Sequence, residues 1–227
     1  MERFWDGLWN CVKRIAAVVT GPISRRNTGS RQSVNGIGRR GRMRIMKIVR
    51  LSGEDKEKLS ECARLLLECF AHAWNTWEEA EAEIPCLLEA GPVLAAVEEE
   101  QVLGFVGARP TYGPYGWELH PLVVKTGARK QGIGSLLVKE IEKEALEQGA
   151  VVLYLGTDDE DGATSLSRGD LFIDTFQKIE NIRNEKNHPY EFYQKNGYRI
   201  VGVLPDVNGY GKPDIYMAKR LREKGGE

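Results

Sequence analysis

The chain has 227 residues, 41% of them hydrophobic and 29% charged, with a formal net charge of −1. That is enough to bury a sizeable core in one domain or two small ones, and no run of about 18 apolar residues is present to span a membrane as a helix. The balance is uneven: residues 1–45 hold ten Arg or Lys against Glu2 and Asp6, a sum of +8, which leaves −9 to the rest. The body therefore has the wrong sign of charge for a nucleic-acid surface.

Cys11, Cys62, Cys69 and Cys86 show no CxxC spacing. Cys62 and Cys69 fall in helical register with Leu59, Leu65, Leu66 and Phe70, which predicts buried thiols in a reduced, cytoplasmic protein rather than disulfides or zinc ligands. No metal is expected.

Residues 1–45 are Arg-rich, and Ser/Gly-rich from Ser24 onward, the composition of a basic, disordered leader. At most, residues 1–19 form a short amphipathic helix (Phe4, Leu8, Cys11, Ile15), and the apolar stretch 15–19 is too short for a secretory signal. The functional reading is an arm for nucleic acid or a membrane surface; the favoured one is a dispensable leader, since Met43 and Met46 can both serve as starts. From Met46, MKIVRLS reads as a first strand, and GEDKEKLSECARLLLECFAHAW as an amphipathic helix with an acidic first turn. Trp74 and Trp77 precede the acidic run EEAEAE at 78–83, which reads first as a solvated helix face and second as a wall for a cationic substrate.

Residues 93–98 and 102–109 predict a hairpin, followed by the loop PTYGPYG and the strand GWELHPLVV. That strand empties into a basic turn, Arg129, Lys130, Gln131, Gly132, Ile133 and Gly134, which opens a helix over 133–148 with Ile133, Leu136, Leu137 and Ile141 on one face. Free backbone N–H groups at such a helix start can cradle a phosphate. Gly132 and Gly134 leave room for its approach, and Arg129 and Lys130 add charge. The spacing is neither GxGxxG nor GxxxxGK[ST], so neither NAD nor a nucleoside triphosphate is indicated.

Residues 151–155 form a continuous apolar strand that exits into Gly156, Thr157, Asp158, Asp159, Glu160 and Asp161. Carboxylates at the end of a central strand stand where α/β sheets bind ligands; the spacing lacks the alternation of a calcium loop. Glu160 and Asp161 read as solvated loop, with Asp158 and Asp159 as candidates for substrate contact. A helix is predicted over 171–182, a short one in PYEFYQKNGY closed by Gly197, and two last strands at 199–204 and 215–218 joined by PDVNGYGKPD. The tail RLREKGGE is expected to fray.

This order of elements, with RxxGxG after the fourth strand and FYxxxGY before the last two, resembles the GNAT superfamily of acyl-CoA N-acyltransferases. The segments GWELHPLVV, YLGTDD, HPYEFYQKNGY, IVGVLP and NGYGKPDIYMAK are similar to the aminoglycoside 6′-N-acetyltransferases of the chromosomal enterococcal type. The likeness covers about residues 46–220, is strongest from Trp117 on and is faint between Trp74 and Gly91.

The resemblance implies an α/β (α+β) fold in which a mixed central sheet, flanked by helices, splays between its fourth and fifth strands. Residues 46–227 would form one acetyltransferase domain. It implies acetyl-CoA as cosubstrate, an aminoglycoside as acceptor, and a homodimer. The backbones of Leu122 and Val124 would hold the pantetheine arm, with the Leu122 N–H at the developing oxyanion. Arg129, Lys130, Gln131, Gly132, Ile133, Gly134 and Ser135 would hold the pyrophosphate. Tyr193 would be the general acid beside the CoA sulfur.

Glu118 and His120, two apart on one strand and so on one face, would meet the acceptor, with Glu118 orienting the ammonium or taking its proton. Trp117, Glu78, Glu79, Asp158 and Asp159 would line the acceptor pocket. Without an independent base, catalysis would rest on proximity and orientation. The rivals are a GNAT enzyme for a polyamine or for a basic peptide or protein N-terminus, a CoA-binding module without turnover, and an RNA-associated protein working through the basic arm.

Overall fold

The computed structural model describes residues 46–70 and 73–222. Strands β1 (Lys47–Arg50), β2 (Val93–Glu98), β3 (Gln101–Tyr112), β4 (Gly116–Val124), β5 (Val152–Asp158), β6 (Arg199–Leu204) and β7 (Asp214–Arg220) form one sheet, ordered β1-β2-β3-β4-β5-β7-β6. Five α-helices accompany it among the described residues: α1 (Lys56–Cys69), α2 (Trp77–Ala90), α3 (Ile133–Glu147), α4 (Thr175–Glu180) and α5 (Tyr190–Lys195). All pairings are antiparallel except β4 with β5, which gives the mixed, helix-flanked sheet expected.

Strand alternation sends side chains to two cores. On one face Val93, Ala95, Val97 and Phe105 pack under Cys62, Leu66, Trp74 and Ile84 of the α1–α2 segment. On the other, Leu94, Val106, Leu119, Leu153, Leu155, Ile215 and Met217 meet Ile133, Leu137 and Ile141 of α3 together with Tyr190 and Tyr193 of α5.

The parallel ladder is short. Only Gly116–Glu118 pair with Val152–Tyr154, after which β4 continues beside β3 while Leu155–Asp158 of β5 continue beside β7. The sheet therefore splays beyond Glu118, between its fourth and fifth strands.

Several boundaries differ from the sequence-based expectation. The acidic run is part of a full helix, α2, whose Thr76 hydroxyl accepts the Glu79 N–H at 3.2 Å; α1 stops earlier, at Cys69. β3 runs on to Tyr112, so the loop before β4 is only a turn. The helix expected over 171–182 shrinks to Thr175–Glu180 because Asp174 adopts φ 52°, left-handed backbone that a helix cannot pass through. Of the cysteines, Cys62 is a buried free thiol, whereas Cys69 and Cys86 are half-buried free thiols. The leader expected at 1–45, including Cys11, and the tail at 223–227 lie outside the described residues. Among the described residues no helix is long and apolar enough to cross a membrane.

Candidate active site

The splay frees one edge of β4. Lys125 N–H donates to Leu103 O at 2.8 Å, flanking the Val124–Gly104 pair. That makes Val124–Gly104, and two residues on Leu122–Val106, the pairs whose own backbone groups point away from the partner strand. The N–H groups of Leu122 and Val124 therefore face the gap beside β5.

At the mouth of the gap lies a cavity of about 400 Å³. Its walls are Leu122 and Val124 of β4, Arg129, Lys130, Gly132, Gly134 and Ser135 of the turn and α3, and His188, Phe192, Tyr193 and Lys195 of the α5 region, with Asn184, Asn187, Pro189 and Glu191 alongside. Lys130 (φ 63°) and Gly132 (φ 84°) both take left-handed backbone, which turns the chain into α3. The two glycines have different reasons. A Cβ at Gly132 would meet nothing within 4 Å, so its role is conformational, while a Cβ at Gly134 would press on the Phe192 ring.

The free N–H groups at the start of α3, flanked by Lys130 and Lys195, fit a diphosphate. Gln131 and Ile133 do not line the cavity. Gln131 reaches back to Gly127 O at 3.4 Å and Ile133 is buried in the core, which leaves them only their backbones for an anion. Arg129 is part of the frame: its Nε donates to Val124 O at 2.9 Å and its Nη2 lies 3.4 Å from Cys69 Sγ, so it ties the turn to the end of β4.

Tyr193 lies in the far wall, 3% exposed, edge-on to Phe192 and to Tyr198. Burial raises its pKa above the usual phenol value, which keeps it protonated as an acid must be. His188 fastens this helix to β5. Its Nδ1 accepts from Tyr190 N–H at 3.2 Å, which places the ring proton on Nε2, 3.0 Å from Asp158 O.

Glu118 and His120 do share a face. Glu118 is buried, and one carboxylate oxygen receives both Nε and Nη2 of Arg109 at 2.8 Å. His120 Nε2 is buried without a hydrogen-bond partner, 4.0 Å from Glu83 Oε1. Burial, with a contribution from Arg109, lowers its pKa to about 3, so the imidazole is neutral at pH 7.

Four expected acceptor contacts go elsewhere. Trp117 points to the opposite core and donates from Nε1 to Pro114 O at 3.1 Å, because adjacent strand residues face opposite sides. Glu79 accepts the Asn75 N–H at 2.8 Å and caps α2, while Glu78 is exposed on its first turn. Asp159 is 1% exposed and takes hydrogen bonds from Ala163 N–H, Thr164 N–H, and the Thr164 and Ser167 hydroxyls, so it holds its own loop together. From the acidic run it is Glu83 that reaches His120. Asp158 does face the Glu118 side, as alternation from Tyr154 requires. Among the described residues no group of three or more His, Cys, Asp or Glu is placed to hold a metal ion.

Residues 59–166 match the model of the Acetyltransferase (GNAT) family. The crystal structure of an aminoglycoside 6′-N-acetyltransferase complexed with coenzyme A is 41% identical, over 79% of this chain and 99% of that one, with a TM-score of 0.77. The chain belongs to the GNAT acetyltransferases.

The aminoglycoside 6′-N-acetyltransferase from Enterococcus faecium is 42% identical over the same shares of the two chains, with a TM-score of 0.75. The aminoglycoside 6′-acetyltransferase type Ii is 34% identical, over 78% of this chain and 99% of that one, with a TM-score of 0.61. No curated protein sequence matches. In this GNAT acetyltransferase, the residues that sequence reasoning missed are Arg109, Asp214, His188 and Lys195. Arg109 stands in no motif, whereas His188 and Lys195 lie within HPYEFYQKNGY and Asp214 within NGYGKPDIYMAK, segments in which no local signal singles them out; strand register, the turn before α5 or α5 itself brings each to the site.

Proposed function

We propose that this acetyltransferase transfers the acetyl group of acetyl-CoA to the 6′-amino group of aminoglycosides and so confers resistance to them. The observation that carries the reading is the splayed edge of β4. One side opens into a cavity suited to a diphosphate and a pantetheine arm, and the other carries the buried carboxylates of Glu118 and Asp158. Relatives at 41–42% identity named for this activity supply the acceptor.

The chain's residues divide the work. Leu122 N–H, facing the gap, stabilises negative charge on the thioester oxygen. Tyr193, buried and protonated, supplies a proton to the departing sulfur. Glu118, set by Arg109, orients the substrate ammonium. His120, neutral and with a free ring nitrogen, accepts a hydrogen bond from the amine once the amine has lost its proton to solvent. Much of the rate comes from holding amine and thioester together. A polycationic acceptor matches the −9 balance of residues 46–227.

Three further points belong to this reading. The acetyltransferase unit begins at Met46, and removal of residues 1–45 leaves activity intact. The free thiols suit the cytoplasm. Two copies pair through the β6 edge, where Val201 and Leu204 are exposed and α4, which carries the exposed Phe176, packs beside the strand.

The test is release of free CoA on adding kanamycin, compared with spermidine and a basic peptide. Turnover confined to kanamycin supports the reading. Turnover of the peptide or spermidine alone refutes it.

A further inference from the structure

Asp158 closes β5 and Asp214 opens β7, and the two stand directly opposite in the antiparallel ladder. Side chains so placed lie on one face with Cβ atoms about 5 Å apart. Asp158 is 3% and Asp214 2% exposed, and each keeps one carboxyl oxygen buried without a hydrogen-bond partner, Oδ2 of Asp158 and Oδ1 of Asp214. Two carboxylates placed opposite each other and buried repel when both are ionised, and one proton held by the pair removes that repulsion.

Among the described residues no ion pair to either carboxyl is formed. Asn208 donates to the other oxygen of Asp158, and His188 is bonded to the Asp158 backbone oxygen. Glu160 bears on Asp158, Glu118 of β4 and Tyr216 of β7 bear on Asp214, and Arg109 is paired with Glu118. Burial, then repulsion from Asp214, raises Asp158 to about 7; burial first, and Glu118 among the lesser causes, raises Asp214 to about 6.

Gly156 sets the direction of the pair. A Cβ there would lie 2.5 Å from Asp214 Oδ2, so the Asp214 carboxyl lies across β5, over the face that carries Glu118. Tyr154 and Tyr216, half-buried on the same face with ring centroids 6.5 Å apart, stand alongside.

We propose that Asp158 and Asp214 form a proton-sharing carboxyl pair that serves as an ammonium subsite for the acceptor, and that docking of the ammonium at Asp214 releases the shared proton. This rests on the aminoglycoside reading above. With its proton the pair carries one negative charge, and without it two. An ammonium beside Asp214 Oδ2 stabilises the doubly charged form, and the proton leaves to solvent. A hydroxyl at the same position brings no charge to balance the second carboxylate, so the pair selects an amino group over a hydroxyl.

The experiment is calorimetric titration of kanamycin into the CoA-bound enzyme at about pH 6.5, in two buffers of different ionisation enthalpy, which counts protons exchanged. The wild type is expected to release about one proton more than Asp214→Asn or Asp158→Asn, neither of which has a shared proton to lose. At about pH 8 kanamycin affinity is expected to fall about tenfold or more in Asp214→Asn. Equal proton counts in wild type and both variants, with CoA affinity retained as proof of folding, overturn the proposal. A wild type that binds CoA but no kanamycin brings down the aminoglycoside reading, and this proposal with it.

Discussion

Gly134, in the first turn of α3, lies against the ring of Phe192 on α5: a Cβ at 134 would stand 3.2 Å from Cζ and 3.3 Å from Cε2 of that ring. The contact joins the two walls of the cavity. Gly134→Ala is therefore expected to push Phe192 aside and raise the acetyl-CoA Kd about tenfold, roughly 1.4 kcal/mol, with little change in the acceptor KM. Direct titration with CoA, set beside initial rates at varied kanamycin, checks both halves.

Tyr193→Phe removes only a hydroxyl from a ring that already packs against Phe192 and Tyr198. Packing is kept, so CoA affinity is expected to stay within about twofold while kcat falls by about a hundredfold, the lower end for loss of a general acid. Single-turnover rates at saturating acetyl-CoA measure the effect. An unchanged kcat removes Tyr193 from the acid role.

Arg109 and Glu118 are 14% and 7% exposed as side chains, so their pair is largely shielded from water. Arg109→Met leaves the Glu118 carboxylate buried without its partner and is expected to cost about 3–5 kcal/mol of stability. Glu118→Gln keeps the shape, is expected to cost less, and raises the acceptor KM more than it changes the acetyl-CoA KM. Urea melts and steady-state kinetics on the two variants separate the structural effect from the functional one.

Asp214 and Asp158 have folded-state pKa values raised from 3.8 to about 6 and about 7, burial being the first cause in each. A raised carboxyl pKa means that the fold holds protons the unfolded chain has lost. The stability that comes from this is fully present below about pH 4 and is lost as pH rises through about 6 to 7. Asp214→Asn is accordingly expected to raise Tm relative to wild type at pH 8, and to raise it less or not at all at pH 5. Thermal melts across that range show the trend, and a larger gain at pH 5 contradicts it.

Much of the frame was legible because its signals are local. The apolar runs at 93–98 and 151–155 and the 3.6-residue period from Ile133 to Ile141 each specify an element without help from the rest of the chain. The RxxGxG turn forms one wall of the cavity, whose lining includes Leu122, Val124, Arg129, Lys130, Gly132, Gly134, Ser135 and Tyr193. What failed depended on which way a side chain faces. Trp117 and Glu118 are neighbours in sequence, yet strand alternation buries one in the α3 core and gives the other to Arg109.

Asp158 and Asp159 looked equivalent as consecutive acids at a strand end. One faces Asp214 across the ladder, and the other turns back to cap residues 163–167. In α2 the acids at 78 and 79 stay at the helix start, and only Glu83 arrives at the sheet, a difference that requires the docking of α2 on β3 and no local pattern contains.

The central claim is tested most directly by identifying the product formed from acetyl-CoA and kanamycin, through tandem mass spectrometry and proton NMR of the purified drug. The account predicts a single acetyl group on the 6′ nitrogen, formed in step with free CoA. Unmodified drug, or acetyl groups on other nitrogens, would contradict it.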